Sequence, residues 1–111
     1  MSKIKVHTTD QPDCDITAFI LSCNRLPLLE KTVKSFLHTK DLPTKIVIVD
    51  DSGCDHIFDY LVEQYGLFAD IICFPENRGL WWAKDFMVSF CSTAYIFYVE
   101  EDWLFLKTGY L

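Results

Sequence analysis

Three consecutive carboxylates, Glu100-Glu101-Asp102, sit between two apolar stretches, Tyr95-Ile96-Phe97-Tyr98-Val99 before them and Trp103-Leu104-Phe105 after. Acids crowded in this way repel one another unless a cation or hydrogen-bond donors compensate. A divalent metal is the economical compensation. Mg2+ and Mn2+ take hard oxygen ligands, and one or two carboxylates suffice when a ligand's phosphates supply the rest. The competing reading is a solvated strand end with one acid capping a helix. Trp103 and Phe105 argue against it, because they read as walls of a partly enclosed pocket, where an idle charge is expensive. A second acidic pair, Asp50-Asp51, precedes Ser52-Gly53. Standing alone it would be taken as the N-cap of the next helix, through Asp51 or Ser52. An acid at a strand tip also accepts a hydrogen bond from a base N–H or a ribose hydroxyl. Arg78, within Glu76-Asn77-Arg78-Gly79, is either a solvated surface cation or a partner for phosphate, with Gly79 allowing close backbone approach.

These residues need elements to position them. Residues 16–22, ITAFILS, form a continuous apolar run that predicts a strand buried on both faces. Ser22-Cys23-Asn24-Arg25 follows it as a loop, and Pro27 suits a helix start. Leu28, Leu29, Thr32, Val33, Phe36 and Leu37 recur at helical spacing to about residue 38. A second buried strand is predicted over 45–49, a helix over 55–65 with Gly66 as its stop, and a short strand over 70–74. A third helix covers 80–91 and a last strand 95–99. Ile4 and Val6 could begin a short edge strand. The alternation predicts one domain over residues 1–111 of class α/β, with a mostly parallel sheet and helices on both faces. Ligands of such sheets bind beyond the carboxyl ends of the strands, where all four polar clusters fall. The adjacent Trp81 and Trp82 point about 100° apart on a helix, so one is expected in the core and the other toward the pocket.

Composition limits the function classes. Half of the 111 residues are apolar and 15% are aromatic, which excludes a disordered chain. A net charge of −6 argues against a nucleic-acid partner, which needs a basic face, and against anionic membrane surfaces. No run of about 18 apolar residues exists, so direct membrane insertion is not expected. The five cysteines, at 14, 23, 54, 73 and 91, show neither CxxC spacing nor an even count. Reduced thiols in a cytoplasmic protein are the simpler reading, with Cys73 and Cys91 buried. His7, His38 and His56 have no metal spacing and are read as surface or loop residues. Neither a GxGxxG nor a GxxxxGK[ST] fingerprint is present.

Taken together, Ser22-Cys23-Asn24-Arg25, Val49-Asp50-Asp51-Ser52-Gly53, the stretch ENRGLWWAKD from Glu76 to Asp85, and YIFYVEEDW from Tyr95 to Trp103 resemble a family 2-type glycosyltransferase of the GT-A fold. The order and spacing of the blocks agree over about residues 15–105. The resemblance implies the Rossmann-like nucleotide-binding half of that fold, with a nucleotide-sugar donor (a UDP-sugar first) and Mn2+ or Mg2+. By the same resemblance Ser22, Cys23, Asn24 and Arg25 contact the base, and Asp50 and Asp51 the base or ribose. Asn77, Arg78, Gly79 and Lys84 face the nucleotide, and Glu101 lies near the ribose. Asp102 and Glu100 are the metal ligands. Members usually run well beyond this length, and their later part carries the acceptor site and, in inverting members, the general base. The expectation is a C-terminally truncated glycosyltransferase of unknown acceptor that binds donor nucleotide and transfers sugar poorly alone. The alternative is a non-catalytic nucleotide or nucleotide-sugar binding module. Association of copies through an uncovered sheet edge is a further expectation. A phosphoacceptor domain is disfavoured, because its acids would follow the first strand, where Ser-Cys-Asn stands.

Overall fold

A computed structural model of the chain describes residues 3–104. The element order is β1 (Lys5–His7), β2 (Ile16–Ser22), α1 (Leu26–Thr39), β3 (Lys45–Asp50), α2 (Ile57–Tyr65), β4 (Asp70–Cys73), α3 (Leu80–Phe90) and β5 (Tyr95–Glu100). The strands form one sheet in the order β1-β4-β3-β2-β5. Only β1 runs antiparallel, against β4; the other pairs are parallel. The α/β class, the mostly parallel sheet and the helices on both faces are as the alternation predicts.

The apolar runs are buried on both sides because alternate side chains enter separate cores. Ala18 and Ile20 of β2 join Ile46, Ile48, Ile71 and Val99 beneath Leu29, Val33 and Phe36 of α1 and Ile57 and Leu61 of α2. Phe19, between them in sequence, faces the other way with Val47, Val49, Ile72 and Phe74 against Ala83 and Met87 of α3. Each fully buried aliphatic or aromatic side chain contributes about 1.5–3 kcal/mol over an exposed one. The two layers therefore hold the sheet between α1 and α2 on one face and α3 on the other. No helix among the described residues is long and apolar enough to cross a membrane.

The parallel register brings the functional loops to one edge. Ser22 lies opposite Asp50, Asp50 opposite Cys73, and Leu21 opposite Glu100. Every strand from β2 to β5 therefore delivers its following loop to the same side.

Several local expectations change. The helix expected from residue 55 begins at Ile57, and its N-cap position is His56, with no side-chain cap. Gly66 ends α2, but with a right-handed φ of −66°. Its reason is space, since a Cβ there would stand 2.5 Å from the Val62 carbonyl oxygen and 2.9 Å from His7 Nε2. His7 is not a bland surface residue: its Nε2 lies 2.9 Å from the Gly66 carbonyl oxygen and joins β1 to the end of α2. Neither tryptophan of the adjacent pair is fully buried. Trp82 packs edge-on against Phe74 while Trp81 is 78% exposed. Cys91 is only half-buried, whereas Cys73 is 4% exposed. Phe105, expected as a pocket wall, lies outside the described residues.

Burial, and after it the Asp50 carboxylate, pushes the Cys73 thiol up to about 12. A thiol needs its thiolate form to react. Iodoacetamide at mildly alkaline pH should therefore modify the exposed Cys54 in the native chain and reach Cys73 only after unfolding, an order that peptide mass spectrometry reads directly.

Candidate functional site

The loops after β2, β3 and β4 each donate backbone amides to a buried carboxylate. Asp50, at the tip of β3, is fully buried. Its Oδ1 accepts the Ser52 N–H at 2.9 Å and the Ser52 hydroxyl, and its Oδ2 accepts the Asn24 N–H at 3.3 Å. Asn24 sits at φ +61°, a left-handed turn that Asn tolerates better than most residues. Asp51, 4% exposed, turns toward the next loop. Its Oδ1 accepts the Arg78 N–H at 2.7 Å and its Oδ2 the Gly79 N–H at 3.0 Å. Gly79 holds φ +90°, where a side chain would be strained. The acid that, standing alone, would be taken as a cap of α2 thus holds the entry to α3.

Glu101, directly after β5, repeats the pattern. It is 3% exposed, with Oε2 accepting the Cys23 N–H at 2.8 Å and Oε1 the Arg25 Nε–H at 2.7 Å. Charge-assisted bonds of this kind make a buried carboxylate tolerable. Thr32, buried in α1, donates its hydroxyl to the carbonyl oxygens of Glu101 and, at 2.7 Å, Trp103. The turn itself closes through Trp103 N–H to the Glu100 carbonyl at 3.2 Å. Sequence reasoning placed Thr32 on the apolar face of α1 without this task; its one signal was a hydroxyl among apolar helix positions.

The structure brings most of the expected residues to one rim. Cys23, Asn24 and Arg25 lie beside Asp50 and Glu101, and Asn77 reaches the Cys23 sulfur at 3.8 Å. Burial, followed by the carboxylates of Asp50, Glu101 and Asp51, pushes the Cys23 thiol up, against the opposing pull of Arg25. The field at the end of β2 is therefore net negative. Ser22 is fully buried, and its hydroxyl has no hydrogen-bond partner among the described residues. Such a group marks a place where a water or ligand atom belongs. Arg78 is exposed, with its guanidinium 5.1 Å from the Trp82 ring centre and 3.3 Å from Glu76. Lys84 stands apart from the other candidates, its ammonium 4.6 Å from the centre of the Tyr98 ring.

Glu100 and Asp102 flank the buried Glu101. Glu100 is half-buried and accepts the Tyr98 hydroxyl at 3.3 Å, and Asp102 is exposed. Burial, then the Glu100 carboxylate, pushes the Tyr98 hydroxyl up. Among the described residues no group of three or more His, Cys, Asp or Glu side chains is placed to hold a metal ion. Two carboxylates at a strand end still fit Mg2+ or Mn2+, ions that draw further ligands from phosphates and water. A concavity of about 790 Å3 lies at the opposite edge, beside Gln11, Asp13, Lys45 and Thr93. The carboxylates and arginines described above are not among its walls, so its volume does not mark the chemistry.

The model of glycosyl transferase family 2 matches residues 17–108, a span that takes in all of these loops. No curated protein matches the chain.

Asp51→Asn replaces one carboxylate oxygen by an amide NH2, which faces a backbone N–H that it cannot accept. The loss of one charge-assisted bond should cost about 1.5–3 kcal/mol in urea unfolding. Hydrogen exchange at the Arg78 and Gly79 amides should accelerate with it.

Proposed function

The chain belongs to glycosyl transferase family 2, and on that premise we propose that its carboxyl-edge rim binds the nucleotide-sugar donor of a sugar-transfer reaction. The observation that carries this reading is the convergence of the loops after β2, β3, β4 and β5, tied to one another by Asp50, Asp51 and Glu101. A preformed polar rim at the carboxyl edge is where α/β sheets take nucleotides.

The roles follow from what each side chain still offers. Asp50, Asp51 and Glu101 already accept backbone amides and shape the rim. Asn24 and Asn77, both exposed, can donate and accept toward a base or ribose. The Ser22 hydroxyl, buried without a partner among the described residues, is available to a group that enters beside it. Arg25 and Arg78 are the rim's cations, with side chains 58% and 39% exposed, and face a diphosphate well. Glu100 and Asp102 would hold a divalent ion, whose contribution when bound is to offset charge on the leaving diphosphate. An exposed diphosphate would otherwise meet a rim of like charge, which is the physical argument for such an ion.

The test is a thermal-shift titration with UDP, GDP, CDP and ADP, each with Mn2+ and with EDTA, on the wild type and Asp102→Ala. Binding to the native state raises Tm by mass action. The expected result is a Mn2+-dependent rise with one nucleotide, UDP first, that disappears in Asp102→Ala. A flat Tm with all four nucleotides would overturn the donor-site reading for this chain.

A further inference from the structure

Strand β1 runs beside α2, and its alternate side chains turn the same way. His7 meets Gly66 at the end of α2, and the Lys5 ammonium lies 5.9 Å from the centre of the Phe58 ring near its start. Lys3, two residues earlier, joins Lys5 in the wall of a concavity of about 350 Å3. Phe58, Pro75 and Cys54 line it as well, and Asp55 is the one acid among its lining residues. It lies where β3 and β4 end, on the side of β1, and none of the residues assigned to the donor rim lines it. Neither lysine forms a salt bridge among the described residues, although the chain carries a net charge of −6. The charge of Lys5 is felt inside. Burial, then Asp50, pushes up the Cys73 thiol of the same wall, and Lys5 pulls against them.

We propose that this concavity binds a small aromatic carboxylate, its ring against Phe58 and Pro75 and its anionic head on Lys3 and Lys5. Pockets for small ligands combine apolar walls with a few charged groups that fix orientation, and this volume stands at the small end of their range, about 300–1,000 Å3. The half-buried Phe58 ring offers a face to a second ring. Each ammonium is a compact charge with three donors, so two of them can share one carboxylate. The formal charges of Lys3, Lys5 and Asp55 leave an excess of one positive charge. That excess matches a monoanion better than a phosphate ester, which carries about −1.5 to −2 at pH 7. The positive end of α2, whose N-cap His56 makes no side-chain cap, adds to the attraction. The site does not depend on the donor-site reading.

The experiment titrates the full chain with 1-naphthoate and follows backbone amide signals by NMR. Two comparison probes keep the ring and change the head: 1-naphthalenemethanol, which is neutral, and 1-naphthyl phosphate. Naphthoate should shift the amides of Gly53, Cys54 and Cys73 saturably, and the alcohol should bind at least about tenfold more weakly, as expected for a lost charge-assisted contact. Lys5→Gln should weaken naphthoate roughly tenfold, and the double variant Lys3→Gln/Lys5→Gln should abolish the shifts. Both lysines are exposed, so these variants leave the two cores intact. Saturating naphthoate should also slow alkylation of Cys54 by iodoacetamide. Shifts confined to the exposed Trp81 and Trp82, or no shift at all, would overturn the site. So would an alcohol that binds as tightly as naphthoate, binding that survives the double variant, or an unchanged rate at Cys54. Tighter binding of the naphthyl phosphate than of naphthoate would overturn the carboxylate assignment in favour of a phosphate ester.

Discussion

The rim depends on one interaction, a buried carboxylate accepting backbone amides from a loop distant in sequence. Asp50, Asp51 and Glu101 are 0%, 4% and 3% exposed, in a chain that already carries a net charge of −6. Burying a charge costs several kcal/mol unless it is fully hydrogen-bonded. Here each carboxylate receives donors on both oxygens, those of Glu101 being the Cys23 amide and the Arg25 guanidinium. The geometry is therefore coupled. A loop that shifted would strand a buried acid, and the cost of stranding it holds the loop. Strand register alone fixes where each loop begins; these bonds fix where it goes.

The same device secures the opposite edge. Asp70, 2% exposed at the start of β4, accepts the Thr9 N–H at 3.0 Å and the Gln11 side-chain amide at 3.3 Å, while Lys45 approaches its other oxygen at 3.5 Å. Gln11 also spans the Ile46 peptide, accepting its N–H at 2.8 Å and donating to its carbonyl at 3.0 Å. A polar leader with no periodicity of its own is thereby stitched to β3 and β4. Two apolar layers supply the burial, and a small set of acids at the two edges supplies the specificity of the connections. This division explains how a short chain can hold long polar loops at both ends of its sheet.

What could be read from the sequence divides along the same line. Period-2 and period-3.6 patterns are local, and they located every long strand and helix to within a few residues, Ile16–Ser22 exactly as its apolar run suggests. The clustering of polar loops at the carboxyl edge followed from the parallel topology. The partners of the acids did not follow. Asp51, which alone would be taken as a cap for the helix six residues ahead, holds Arg78 and Gly79 on a different connection. Gly53 gave the outline of a turn but not its neighbour: a Cβ there would stand 2.8 Å from the Glu76 Cα, so the loops after β3 and β4 touch where a side chain would part them. Thr32, Gln11 and His7 act through hydrogen bonds to residues 69, 35 and 59 positions away. Nothing in local propensity records such distances.

The acidic triplet shows how position turns identical charges into different parts. Glu100 ends β5 and Glu101 and Asp102 form the turn after it, so the three side chains meet different surroundings. Glu101 turns inward and is neutralised by Arg25 and the Cys23 amide. It no longer competes for a cation, and its pairing draws Arg25 to the rim. Glu100 and Asp102 have no basic partner among the described salt bridges. The local field, whose carboxylates add to burial in pushing the Cys23 thiol up, then acts on whatever enters. An anionic ligand is repelled there unless it arrives with a cation or lies against Arg25 and Arg78. The buried acids thus set the shape of the rim, and Glu100, half-buried, and Asp102, exposed, add to its negative charge.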